Sequence, residues 1–277
     1  MADRPFDVVL LDAGGVLVQP DPAKILGRFV AEGVEVDAAL PFEAHYHGVA
    51  AIDWARAEPE VFADYHQAYT TRLGLADGSA EAGAAVAALT ELWATSGLWT
   101  EALPWARAGL EAIAATGVPI VIVSNADGTV AEVLSTAGLC QVGPGPGVEL
   151  AGLIDSGAVG VAKPDPAIFS LALDLVGVAP DRAVHVGDAY QYDWHGARAA
   201  GVHPVLVDPL DIRADVDCQR VADLIEVAAL LHWEHELSGT NTGQEARPTS
   251  GSGPPLRPPA KKRPPIRKAT ERARSGQ

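Results

Sequence analysis

Asp12, Ser124, Lys163, Asp188 and Asp193 are the side chains of this sequence that could do chemistry as a group. Carboxylates that meet in one crevice repel each other unless a cation lies among them, and hard oxygen ligands of this kind suit Mg²⁺. Lys163 adds a fixed positive charge, and Ser124 adds a hydroxyl donor with Asn125 beside it. Together they would make a pocket for a tetrahedral anion, with one carboxylate left over as nucleophile. A lone aspartate after an apolar run is as often a turn former or a helix cap. The case rests on the set.

The local sequence says how the set could assemble. VVLL (8–11) runs straight into Asp12 and the pair Gly14–Gly15. A short apolar run closed by turn residues reads as a strand buried on both faces of a parallel sheet. PIVIVSN (119–125) ends in Ser124 and Asn125, AVHVGD (183–188) ends in Asp188, and HPVLVD (203–208) is a fourth such run. Lys163 precedes a helix in KPDPAIF (163–169), with Asp165 as its cap and Pro166 in its first turn. Ile168, Leu171, Ala172, Leu175 and Val176 give that helix its expected buried face. Strands alternating with helices predict an α/β fold, a Rossmann-like doubly wound parallel sheet. Ligand sites of such sheets lie at the carboxyl ends of the strands, where these residues fall.

Between the first and second strands lies a helical block. Pro22 to Gly33 carries Ile25, Leu26, Phe29 and Val30 at helical spacing, and Pro59 to Gly74 carries Phe62, Tyr65, Tyr69 and Leu73. Val86, Leu89 and Trp93 mark a further helix, and no strand of comparable strength interrupts the block. The expected organisation is a core of residues 1–18 and 103–236, a helical insertion over 19–102, and a disordered basic tail over 237–277. GPGPG (143–147) reads as a surface turn, because its prolines remove the N–H donors a phosphate loop needs.

Charge narrows the partners. The stretch from Thr240 to Gln277 holds nine Lys or Arg and two Glu, a net of +7 within a whole-chain charge of −16, so the first 239 residues carry −23. A body that acidic repels nucleic acid and anionic membrane, and only KKRPPIRK (261–268) offers nucleic acid a foothold. No apolar segment is long enough to span a bilayer. The first apolar run is four residues long and ends in an aspartate, unlike a signal peptide. Cys140 and Cys218 lie far apart without metal-type spacing and read as reduced thiols of a cytoplasmic protein.

DAGGVLV, VSN, KPDPAIF and HVGDAYQYDWHGARAAG resemble, in order and spacing, the four motifs of the haloacid dehalogenase-like (HAD) hydrolase superfamily. The resemblance runs from about Phe6 to Asp208, and the helical block resembles that superfamily's cap. It implies that Asp12 is a nucleophile forming an aspartyl-phosphate, with Ser124, Asn125 and Lys163 binding the phosphorylated substrate. It further implies Mg²⁺ held by Asp12, Asp188 and the backbone carbonyl of Gly14, with Asp193 in support. The expected activity is hydrolysis of a small phosphorylated metabolite.

One position departs from the pattern. Phosphatases of this superfamily carry a second aspartate, a general acid and base, where this chain has Gly14. Losing such a group typically removes about 10²–10⁴ in rate, roughly 3–5 kcal/mol of barrier. Relatives that displace halide or cleave a carbon–phosphorus bond also lack it. The first kind does not use the metal site that Gly187 and Asp188 suggest. The second needs a cap lysine, and Lys24 near the hinge is the one lysine of the insertion. The alternatives are therefore a dehalogenase-like hydrolase of a non-phosphoester bond, or a weak phospho-ligand binder.

His45 and His47 in AHYHGV could face the site, but at i, i+2 on a helix they share no face and read more simply as part of a partly exposed helix. Asp21 could donate a proton or cap the helix that starts at Pro22. His185 reads as a buried, hydrogen-bonded strand residue, and Trp93, Trp99 and Trp105 as packing around the hinge of the insertion.

Overall fold

The structure, a computed structural model, describes residues 4–52 and 61–231. The basic segment 237–277 and Pro59 lie outside the described residues. The chain opens with β1 (Val8–Leu11) and β2 (Val18–Pro20). The helices α1 (Pro22–Ala31), α2 (Pro41–Ile52), α3 (Val61–Arg72) and α4 (Ala80–Trp93) follow, and β3 (Trp99–Ala102) leads back. Next come α5 (Ala106–Ala115), β4 (Ile120–Ser124), α6 (Val130–Thr136), β5 (Cys140–Val142), β6 (Val148–Leu150) and β7 (Gly152–Asp155). Then α7 (Ser156–Val159) and α8 (Pro166–Val176) lead to β8 (Ala183–Gly187), a π-helical turn at Tyr190–Trp194 and α9 (His195–Ala199). The described chain closes with β9 (His203–Val207), β10 (Arg220–Val221) and α10 (Leu224–Leu230).

Six parallel strands form the central sheet in the order β10-β9-β8-β1-β4-β7. From β1 the chain moves outward through β4 to β7, then crosses to β8 on the other side of β1 and moves outward again. The connections leave β1 in opposite directions, which opens a crevice at its carboxyl end. The sheet is covered on both faces, as a two-residue alternation requires. Val9, Leu11, Ile120, Ile122, Val184 and Val186 pack under Leu110, Leu134 and Val227. Val8, Leu10, Val121 and Val123 pack on Ile168, Phe169, Ala172 and Ala197.

The four expected strands are present, and two edge strands join them. Neither had a strand signal: β7 is four residues opened by glycine, and β10 is two residues. The helical block holds one further difference, because β2 and β3 pair as an antiparallel ribbon through which the chain enters and leaves it. VQP and WTEA are too short, and too interrupted by proline and charge, to show alternation. The buried face of α8 is Ile168, Phe169, Ala172 and Leu173, whereas Leu171 and Leu175 are exposed. Val30 and Phe62 likewise point to solvent. Asp165 caps α8 and Asp21 caps α1, the latter accepting from Ala23 N at 2.9 Å and Lys24 N at 3.3 Å. Such caps contribute about 1 kcal/mol each.

The helices α1–α4 share their own core of Ile25, Phe29, Tyr65, Tyr69 and Leu89, joined by Ala189 and Tyr192 from the turn after β8. His66 lies inside it, its Nδ1 3.1 Å from Thr90 Oγ1 and its ring edge-on to Trp93. Burial pushes its pKa down from 6.5 to about 4, so the folded protein keeps it neutral while the unfolded chain protonates it. The unfolded state then binds more protons between those two values, and stability falls as pH drops through that window. Between pH 7 and pH 5 the wild type should lose about 2 kcal/mol more than His66→Phe. Urea unfolding at the two pH values measures this, and equal losses would remove His66 as the cause.

Candidate active site

Strand register brings the expected residues to one end of the sheet. Leu11 lies level with Ile122 and Val186, so Asp12 follows one position on, and Ser124 and Asp188 two positions on, in adjacent strands. Asp12 N donates to Val186 O at 2.9 Å, which ties the first turn to β8. The Asp12 carboxylate accepts from Ala13 N through Oδ1 at 2.7 Å, and its Oδ2 lies 2.9 Å from Lys163 Nζ. Lys163 Nζ lies 2.7 Å from Asp193 Oδ1, so one buried ammonium joins two buried carboxylates.

The surroundings hold this arrangement rigidly. Asp193 also accepts from His185 Nε2 at 2.9 Å and from Ala189 N at 3.0 Å. His185 is fully buried, as read from the sequence, and it also orients Asp193. The Asn125 amide is engaged with the Lys163 backbone at both ends, donating to its carbonyl at 2.9 Å and accepting from its N–H at 2.7 Å. Among the groups tied down here, then, Asn125 places Lys163. Two glycines make room for the carboxylates. A Cβ at Gly15, whose φ is +63°, would fall 1.8 Å from Asp188 Oδ2, and one at Gly187 would fall 2.0 Å from Asp193 Cγ. Ser124 ends β4 and is buried.

Electrostatics follow from burial and proximity. Burial pushes the Asp12 carboxyl up to about 7, and the Asp193 and Asp188 carboxylates add to this against the pull of Lys163. Asp193 goes the other way: burial opposes its charge, but the Lys163 ammonium and the His185 hydrogen bond hold it well below the usual carboxylate range. Burial likewise opposes the charge on Lys163, but its two carboxylate neighbours keep it protonated. Asp12, Asp188 and Asp193 offer oxygens within 4.8 Å of one another, and Asp188 Oδ2 is buried with no hydrogen-bond partner. Three carboxylates against one ammonium, with an orphaned oxygen among them, fit a hard divalent cation.

The helical insertion closes over this end of the sheet. Tyr46 Oη donates to Gly15 O at 2.9 Å, and His45 Nε2 lies 3.4 Å from Asp188 Oδ2. His45 is buried to 1% exposure, against the expectation of a partly exposed helix, whereas His47 is half-buried. Trp99 is a site residue as well as hinge packing: its ring covers Gly14, with Cζ3 3.1 Å from where a Cβ would stand, and it meets His45 edge-on. Trp105 donates to Val16 O at 3.0 Å beside the first turn. Lys24 is held at the hinge, bonding Gly97 O at 2.7 Å. Sequence reading missed Tyr46 and Tyr65 as parts of the site.

A doubly wound parallel sheet with a buried Asp–Lys–Asp cluster at its switch point, roofed by an inserted helical block, narrows the chain to one class of α/β protein. The chain belongs to the haloacid dehalogenase-like hydrolases, whose family profile it matches over residues 6–201. It is 38% identical over 114 residues to haloacid dehalogenase-like hydrolase domain-containing protein 3 of Bos taurus, covering 40% of this chain and 43% of that one. It is 53% identical over 76 residues to a phosphoserine phosphatase of Thermus thermophilus, covering 26% of this chain and 30% of that one. These matches span less than half the length of either relative. Among solved structures it is similar to a magnesium-bound HAD hydrolase of Bacillus subtilis, with a TM-score of 0.53 at 18% identity over 82% of this chain and 98% of that one. A HAD phosphatase of Thermococcus onnurineus gives 0.50 at 21% identity over 82% and 98%. At those identities the likeness is one of fold. Among the described residues no helix is long and apolar enough to cross a membrane.

Proposed function

We propose that this chain is a Mg²⁺-dependent phosphatase of small phosphorylated metabolites, with Asp12 as nucleophile and the helices of residues 19–102 as its cap. The observation that carries the reading is the buried cluster at the switch point, where Lys163 lies 2.9 Å from Asp12 and Asp188 keeps an unpartnered oxygen. Halide departs without a metal ion, so an oxygen free to hold one favours the phosphatase reading. The phosphoserine phosphatase likeness supports the substrate class.

In the proposed reaction an Asp12 carboxylate oxygen attacks phosphorus, the ester P–O bond breaks, and the leaving oxygen takes the bonding pair. Ser124 Oγ–H donates to the transferring phosphoryl group, and the Lys163 ammonium balances its charge. Asp12, Asp188 and the Gly14 carbonyl would hold Mg²⁺, with Asp193 behind them, and the ion would stabilise charge on the phosphoryl oxygens. Water then attacks phosphorus of the aspartyl-phosphate, the Asp12 O–P bond breaks with its pair returning to the carboxylate, and the water's protons stay on the released phosphate or pass to the departed oxyanion.

Gly14 shapes what can be hydrolysed. With no acid there and the Trp99 ring over the position, the leaving oxygen departs unprotonated. Aryl and acyl phosphates should therefore turn over about 10²–10⁴-fold faster than alkyl phosphates. Phosphate release from both kinds of ester, with and without Mg²⁺, tests the reading. Gly14→Asp alone should speed alkyl esters less than Gly14→Asp with Trp99→Ala, because the new side chain crowds the Trp99 ring. The absence of Trp99's obstruction is thus the variable. Halide release from a haloacid without metal, and no phosphate release, would select the dehalogenase reading, which the apolar roof over Gly14 favours.

A further inference from the structure

Two buried polar atoms face each other across the junction of insertion and core, and neither has a hydrogen-bond partner: His45 Nε2 and Asp188 Oδ2, 3.4 Å apart. Leaving such groups unpaired in the interior is costly. The other ring nitrogen, Nδ1, lies 2.8 Å from Tyr65 Oη. That contact decides where the ring proton sits. If Nδ1 donated to Tyr65, the tyrosine proton would lack this acceptor, and the Nε2 lone pair would face a carboxylate oxygen that can only accept. If Tyr65 donates to Nδ1, the ring proton lies on Nε2, on the Asp188 side and a small shift short of a hydrogen bond. Closing that gap serves Nε2 and leaves the carboxylate oxygen a second lone pair for a cation. Burial keeps the Tyr65 hydroxyl far above its ordinary range, so it carries the proton it must donate.

We propose that His45 is a positioning residue for Asp188, a cap-borne N–H donor that orients the metal-holding carboxylate and is itself set by Tyr65. Its neighbour Tyr46 bonds Gly15 O at 2.9 Å, and Gly15 lies directly under the same Asp188 oxygen. Two consecutive residues of α2 thus fasten the insertion to two touching residues of the site. The carboxylate is complete only with the insertion seated. Outer partners of this kind change metal affinity by about 10–100-fold when removed.

The inference rests on the Mg²⁺ reading above, and calorimetric titration of the full chain with Mg²⁺ alone separates the two. Wild type should bind. His45→Phe keeps the ring packing but lacks the donor, and should bind about 10–100-fold more weakly. His45→Gln, which can present an N–H at the same place, should recover most of the loss. Tyr65→Phe should weaken binding, and adding it to His45→Phe should cost nothing further, because the two act as one relay. A merely structural role would move melting temperatures but would give no rescue by glutamine and no such non-additivity. If wild type binds no Mg²⁺, the metal reading fails. If wild type binds and folded His45→Phe binds within twofold of it, this inference alone fails. Should His45→Phe not fold, His45→Gln and Tyr65→Phe decide: weak binding by the glutamine variant, or full binding by the phenylalanine variant, overturns the relay.

Discussion

Asp12→Asn is expected to release no phosphate above the blank, at least about 10⁴-fold below wild type, or some 5–6 kcal/mol of barrier. The amide has the same shape but no anionic oxygen with which to attack phosphorus. The fold should survive. Asp12 is a buried carboxylate beside two others, and burial with that repulsion pushes its pKa up to about 7. A carboxyl whose folded pKa is raised binds protons more tightly in the folded state. In the metal-free protein this one group therefore lowers stability as pH rises from about 4 to 7. Asparagine removes that penalty, though it can satisfy only one of the two acceptor tasks, toward Ala13 N or toward Lys163. Activity should vanish while the melting temperature at pH 7 holds or rises, and Mg²⁺ binding should weaken. Turnover within tenfold of wild type would mean that the nucleophile lies elsewhere.

Asp12, Ser124 and Asp188 stood out because each ends an apolar run, and parallel strands put such ends side by side. Lys163 stood out because Asp165 and Pro166 announce a helix start just after it. The α8 face was misread because that helix carries leucine or alanine on every side, so the stripe through Leu171 and Leu175 looked as good as the true one through Phe169 and Leu173. His45 reads as part of a partly exposed helix because it shares no helix face with His47. Its position said otherwise, for Pro41, His45, Gly48, Val49 and Ile52 form one buried stripe at helical spacing. A polar residue on an apolar stripe was the available signal. That the stripe faces Asp188 depends on how α2 lies over the sheet, which no local pattern encodes. Trp99 was hidden for a similar reason, since its place over Gly14 comes from the pairing of two short strands far apart in the chain.

Lys163→Met is expected to damage stability as well as turnover. The Lys163 side chain is 1% exposed, with its ammonium 2.9 Å from Asp12 and 2.7 Å from Asp193, and methionine fills its space without its charge. Removing one partner of a buried ion pair typically costs about 3–5 kcal/mol, because the other charge stays behind unpaired. Against a total stability of about 5–15 kcal/mol that is a large share. The transferring phosphoryl group would also lose its cation, with about 10²–10³ in rate expected from loss of one such stabilising group. Saturating Mg²⁺ should return part of the stability, since it binds the folded cluster and not the unfolded chain. The decisive comparison is with Lys163→Met/Asp193→Asn. That variant removes the carboxylate most dependent on the lysine, and its single amide oxygen can keep the bond from Ala189 N while the NH₂ group faces His185 Nε2. Its stability should return toward wild type while turnover stays as low as in Lys163→Met. Stability that stays low would place the cost at Asp12, still buried without its cation, rather than at Asp193. Turnover that returns would mean that its charge was never needed at phosphorus, only between the two aspartates.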